Sequence, residues 1–141
     1  MKKRPFTLAC LPLLSACAGE PPQNLGPTGD GRLSPCPDSP NCVSSFSGEE
    51  RHAIEPLQAD LAAIRDVIGG LDNADVVSSD GEHYLRAEFT TRIIGFVDDV
   101  EFLHDPAQGV THVRSASRVG YSDLGANRQR IERLRQRLND D

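Results

Sequence analysis

Phe96-Val97-Asp98-Asp99-Val100-Glu101-Phe102-Leu103 and Val110-Thr111-His112-Val113-Arg114-Ser115-Ala116-Ser117-Arg118-Val119, on either side of Asp105-Pro106-Ala107-Gln108-Gly109, decide the fold of this 141-residue chain. Both flanking runs are rich in Val, Phe and Thr, and Val100 with Phe102 and Val113 with Val119 keep even spacings, the period of a strand with one buried face. Between them, Pro and Gly in five residues mark a turn. The pair reads as an antiparallel hairpin. Val100 and Phe102 on the first strand and Val113 and Val119 on the second face the core, so Asp99, Glu101, His112, Arg114 and Arg118 lie on the other face. With Leu103 set opposite Val110, Asp99 falls across from Arg114 and Glu101 across from His112. That arrangement is a cross-strand ladder of opposite charges.

Working outward, residues 75–79 and 83–93 read as two further strands around the turn Ser79-Asp80-Gly81. A short strand near residues 51–54 is also compatible with the pattern. Upstream, Leu57, Leu61, Ile64 and Ile68 recur at four, three and four residues, one face of a helix with Pro56 in its first turn and Gly69-Gly70 at its end. Downstream, Leu124, Ile131, Leu134 and Leu138 form the buried stripe of a closing helix over 123–138. Asn127 falls on the same stripe, where a buried amide needs hydrogen-bond partners. Arg130, Arg133 and Arg137 lie beside the stripe and read as a solvated face whose stems cover apolar surface. The fold expected is α+β: an antiparallel sheet of four or five strands with two helices packed on one face.

The amino terminus carries a different message. Lys2-Lys3-Arg4 precede a short apolar run from Phe6 to Leu14, the layout of a signal peptide. Leu14-Ser15-Ala16-Cys17 resembles the lipobox of bacterial lipoproteins. It implies a signal peptide over 1–16 and a mature chain starting at a lipidated Cys17. Ala18 after that cysteine implies sorting to the outer membrane, facing the periplasm. Residues 17–32, rich in Pro and Gly, read as a flexible tether, and 33–141 as a single domain. In that compartment Cys36 and Cys42 are the thiols left to pair, since Cys10 departs with the signal and Cys17 is acylated. The alternative is a metal site combining them with histidines.

Without residues 1–16 the chain has twelve arginines, no lysine and twenty-one acids, hence 12 − 21 = −9. That balance disfavours nucleic acid as a partner. A nucleophile elbow, a phosphate-binding glycine loop and paired helical histidines are all missing from the sequence, so no cofactor and no metal is expected.

Three strings then resemble one family: Pro35-Cys36-Pro37-Asp38-Ser39-Pro40-Asn41-Cys42-Val43-Ser44-Ser45, Gly95-Phe96-Val97-Asp98-Asp99-Val100-Glu101-Phe102, and Arg114-Ser115-Ala116-Ser117-Arg118-Val119-Gly120-Tyr121-Ser122-Asp123-Leu124-Gly125-Ala126-Asn127-Arg128. Together they resemble the domain-of-unknown-function family 1499, over about residues 33–138. The resemblance brings no reaction with it. It does tie Asp98, Asp99, Arg114, Ser115, Ser117, Arg118, Asp123, Asn127 and Arg128 to one motif set, either a site or an internal polar network.

Three functions compete at this point. One is a non-enzymatic envelope module binding a protein or a small anion, with Arg114, Arg118 and Arg128 around the anion and Asn127 as a neutral donor. A second is an enzyme using Asp98 or Asp99 as base and Arg114 or Arg118 to hold an oxyanion. The third is a purely structural lipoprotein.

Overall fold

The computed structural model describes residues 18–140; the expected signal peptide and Cys17 lie outside the described residues. Five strands form one antiparallel sheet: β1 (Cys42–Ser44), β2 (Ala74–Ser79), β3 (Tyr84–Thr90), β4 (Val97–Asp105) and β5 (Val110–Ser117), in the order β1-β5-β4-β3-β2. Two helices complete it, α1 (Leu61–Gly69) and α2 (Ala126–Asp140). Ile64 and Ile68 of α1 and Ile131 and Leu134 of α2 pack with Leu85, Ala87, Val100, Phe102 and Val113 in one apolar core. These strand residues share one face of the sheet, so the fold is the expected α+β arrangement.

The hairpin register differs from the expected one by two residues. Asp105 pairs with Val110, Leu103 with His112, Glu101 with Arg114 and Asp99 with Ala116. Asp105 explains the difference: its carboxylate accepts from the backbone N–H of Ala107 and Gln108, at 2.9 and 3.2 Å, and closes a tighter turn. Because side chains alternate with period two, a two-residue slip leaves the residues of β4 and β5 on their expected faces, whereas Val119, expected inward, lies beyond the end of β5 against Gly19 and outside the apolar core. Within the two strands the charged partners change and the core does not.

Both helices start later than the periodicity suggests. Asp60 caps α1, its carboxylate accepting from the Ala63 N–H at 2.9 Å, so the helix begins at Leu61. Leu57 is buried, but as extended chain whose N–H and C=O bond to Thr111. Asp123 performs the equivalent service for α2, accepting from the N–H groups of Gly125 and Asn127 at 2.9 Å each. Leu124 therefore precedes the helix, with φ at +52° and its side chain 90% exposed, instead of opening the buried stripe. The strand near 51–54 shrinks to a single bridge between Ala53 and Ser44. Cys36 and Cys42 form a disulfide that ties the loop before β1 to the sheet edge. It uses both thiols that the metal alternative required.

Candidate functional site

Every residue of β4 from Val97 to Phe102 is buried, so both faces of the sheet are covered. The face away from the helices holds the charges. Asp99 accepts from Arg118 through both oxygens, at 2.8 and 2.9 Å, and from Arg86 at 2.7 Å. Glu88 joins them, bonded to Arg118 and, at 3.1 Å, to Arg86. Glu101 accepts from Arg114 at 3.2 Å and from the Tyr84 hydroxyl at 3.0 Å. Three carboxylates thus meet three guanidiniums. Burial, with the Glu101 charge beside it, pushes the Tyr84 phenol well above its ordinary range, so it stays a donor. The Asp99 carboxylate, with Glu88, likewise holds Arg118 more firmly protonated.

The lid over this face comes from the segment expected to be a tether. The Gly26 N–H donates to Glu101 at 2.7 Å, and Arg118 donates to the Gly19 carbonyl at 3.4 Å. A cavity of about 410 Å³ remains beneath it, lined by Arg114 and Arg118 but also by Glu20. The Arg114 Nε has no hydrogen-bond partner among the described residues. Charge on this face balances, and an anion entering it would find no surplus positive charge.

On the helix side Asn127 organises a second polar cluster. Its oxygen accepts from Ser115 at 2.7 Å and Arg130 at 2.6 Å, and its NH₂ donates to the Asn41 carbonyl, Ser117 and Asp123 at 3.1, 2.9 and 2.8 Å. Burial works against the Asp123 charge, but the N–H groups of Asn127 and Gly125 and the Asn127 amide hold its carboxyl below the usual range. Arg130 departs from the expected solvated stripe. It bonds Asp98 and Ser115 and lies 5.1 Å from the centroid of the Phe89 ring. Arg133 and Arg137 remain exposed.

The nine motif residues therefore divide three ways. Asp99, Arg114 and Arg118 are on one face of the sheet; Asp98, Ser115, Ser117, Asp123 and Asn127 are on the other. Arg128 joins neither, donating instead to the carbonyls of Ala53 and Arg51 at 2.7 and 3.2 Å. Asp98 and Asp99, as sequence neighbours on a strand, point to opposite faces and are both engaged by arginine. Of the acids and arginines of the enzyme hypothesis, Asp98 is separated from Arg114 and Arg118 by the sheet, while Asp99 meets Arg118 as its ion-pair partner.

One concave site carries no sequence motif of its own. A cleft of about 490 Å³ lies between residues 28–36 and 44–52, with Arg32, Cys36, Ser44, Phe46 and His52 in its walls. His52 is 2% exposed. Its Nδ1 donates to the Cys42 carbonyl at 2.8 Å, while Nε2 has no partner among the described residues. Phe46 stacks on His112, ring centroids 4.2 Å apart, and Arg32 stands 4.9 Å from the Phe46 centroid. Burial keeps the His112 imidazole below its ordinary pKa, with Asp105 opposing and Arg32 reinforcing that shift. The cleft is built from irregular chain, where no hydrophobic period betrays burial; the only sequence clue was an isolated histidine ten residues beyond a cysteine.

No curated protein and no solved structure matches the chain. A family described as "Protein of unknown function (DUF1499)" matches residues 32–138, which include the sheet, both helices nearly to the end of α2, and all three motif strings. The matched span begins after most of the segment that lids the charged face. The chain belongs to the DUF1499 family.

Proposed function

We propose that this protein is a lipid-anchored, non-enzymatic binding module of the bacterial envelope, and that it captures a small molecule in the His52 cleft. The anchor reading rests on the lipobox at Leu14 to Cys17. The binding reading rests on one observation, the unpartnered Nε2 of a buried histidine whose residue lines the cleft between residues 28–36 and 44–52. Since Nδ1 carries the proton given to Cys42, Nε2 of the neutral ring is an acceptor. The atom is closed to solvent, so a ligand that satisfies it must displace part of the cleft wall and brings a hydroxyl or N–H. Phe46, Leu33 and the disulfide offer the rest of that ligand an apolar wall, and the volume suits a small organic molecule. The polar cluster takes the structural role: Asp98, Asp99 and Glu101 are each engaged by arginine, and Arg128 ties the start of α2 to the Arg51 and Ala53 carbonyls.

Phenol and toluene share a ring and differ in the donor, which makes them the test pair. Titrated into the ¹⁵N-histidine-labelled protein, phenol is expected to saturate and move the His52 Nε2 resonance, with toluene at least about tenfold weaker, the size of one hydrogen bond at ~1.4 kcal/mol. Ser47→Trp, which fills the cleft from its wall, is expected to abolish the effect while leaving the melting temperature near that of the parent. Equal binding of the two probes, or binding by neither, overturns the assignment.

A further inference from the structure

Five of the six large apolar side chains exposed among the described residues sit at one end of the sheet. Ile93, Ile94 and Phe96 belong to the β3–β4 connection, and Tyr121 and Leu124 to the β5–α2 connection; Val77, on edge strand β2, is the sixth. The two connections leave from the same end because Thr90 pairs with Val97 and Asp98 with Ser117, and the Arg118 N–H donates to the Val97 carbonyl at 3.3 Å. Single exposed apolar residues are ordinary, whereas a group of five at one tip marks a contact surface.

The tip is braced. Thr91 accepts from the Gly95 N–H through its carbonyl and from the Phe96 N–H through its hydroxyl, each at 2.9 Å, which closes the loop and turns Ile93 and Ile94 outward. Leu124 is presented from a left-handed backbone conformation that leucine seldom adopts.

What covers this tip follows from where the chain outside the described residues leads. Gly19 packs against the same end: a Cβ there would meet Arg118 Cβ and Val119 Cγ1 at 3.0 Å, and its carbonyl takes the Arg118 hydrogen bond. Two residues of chain, at most ~8 Å, separate Gly19 from Cys17. A lipid on that cysteine would deliver a bilayer to this end and no other. The tip chemistry suits an interface with lipid: branched aliphatic and aromatic side chains, with Arg92 as the exposed cation in the two loops.

We propose that the end of the domain formed by Ile93, Ile94, Phe96, Tyr121 and Leu124 docks on the bilayer surface beside the Cys17 anchor. Delivery rests on the lipid-anchor reading; the surface itself rests on the sheet geometry. In this pose the domain lies against the membrane instead of swinging on a sixteen-residue tether, because the segment at 18–26 is itself packed on the sheet. The His52 cleft, level with His112, is then held away from the lipid, five strand residues and so ~16 Å up β5 from Ser117.

The test uses the full chain in vesicles of phosphatidylcholine whose acyl chains carry bromine. Tyr121→Trp is the reporter and Val77→Trp the control, since the parent has no tryptophan. Quenching of Tyr121→Trp several-fold above Val77→Trp, and its loss when Ile93→Ser and Leu124→Ser are added, is the expected result. Equal quenching at both positions overturns the docking surface. Intact mass tests the anchor separately. If Cys17 carries no acyl chain, the same pair is compared at excess vesicles, where selective Tyr121→Trp quenching still supports the surface and equal signals still refute it.

Discussion

On one side of β4, Val100 and Phe102 meet Leu85, Ala87, Val113 and the two helices; on the other, one residue away along the same strand, Asp99 and Glu101 meet arginines and an extended peptide. Burial is equally complete on the two sides. The means differ. The helix face removes apolar area from water and needs only shape, whereas the charged face removes ions from water and holds only while every partner is present. An apolar truncation there leaves a hole, and a charged truncation leaves an ion.

The largest expected effect follows from that asymmetry. Arg118→Ala leaves Asp99 and Glu88 to share Arg86 alone and is expected to cost ~3 kcal/mol, the lower end for a broken buried pair. Phe102→Ala, on the apolar side, costs a similar ~3–5 kcal/mol by cavity formation. The two are separated by double-mutant cycles in denaturant unfolding. Arg118→Ala with Asp99→Ala should be much less destabilising than the sum of the singles, with a coupling of ~1–3 kcal/mol, while Phe102→Ala with Asp60→Ala, the exposed cap of α1 outside the apolar core, should add. Additivity at Arg118 and Asp99 would mean that the charged face is not a network.

A middle-sized effect sharpens the contrast at the sheet edge. Cys36→Ser with Cys42→Ser opens a loop closed over six residues of separation, for which chain entropy predicts a loss of ~2 kcal/mol. Because the bridge also walls the His52 cleft, the double variant is expected to weaken phenol binding more than its melting temperature alone accounts for.

The same comparison shows why the sequence was legible in some places and closed in others. Period-two alternation identified both faces of the hairpin and survived a wrong turn, since slipping two residues trades Arg114 from Asp99 to Glu101 without moving it through the sheet. Periodicity also put Asn127 on the buried stripe of α2, and its five hydrogen bonds are what that position demands. Arg130 was misplaced because a helical stripe gives the direction of a Cβ, and a guanidinium several bonds further out can reach back to Asp98 over the ring of Phe89. The lid over the charged face was hidden for another reason. A Pro/Gly-rich segment has the composition of a tether, and the Gly26 N–H that caps Glu101 is backbone, which carries no side-chain signature.

The smallest effect concerns the junction where the two kinds of cover meet, the start of α2. Asp123 accepts from the N–H groups of Gly125 and Asn127 and from the Asn127 amide, so removing it both uncaps the helix and loosens the amide that ties α2 to β5. Asp123→Ala is expected to cost ~1 kcal/mol. The pH dependence has a definite sign. Burial opposes the charge, yet the N–H groups of Asn127 and Gly125 outweigh it, and the folded-state pKa falls below the ordinary 3.8. A carboxylate depressed on folding contributes fully above its unfolded pKa and loses that contribution as pH falls through the folded value. Unfolding followed from neutral pH into acid should therefore show Asp123→Asn, which keeps an oxygen acceptor but cannot titrate, converging on the parent below that range. The gap between them should open as pH rises through the unfolded carboxylate pKa. A gap that stays constant across the acid range would show that Asp123 acts through shape alone, and that its charge adds nothing to the cap.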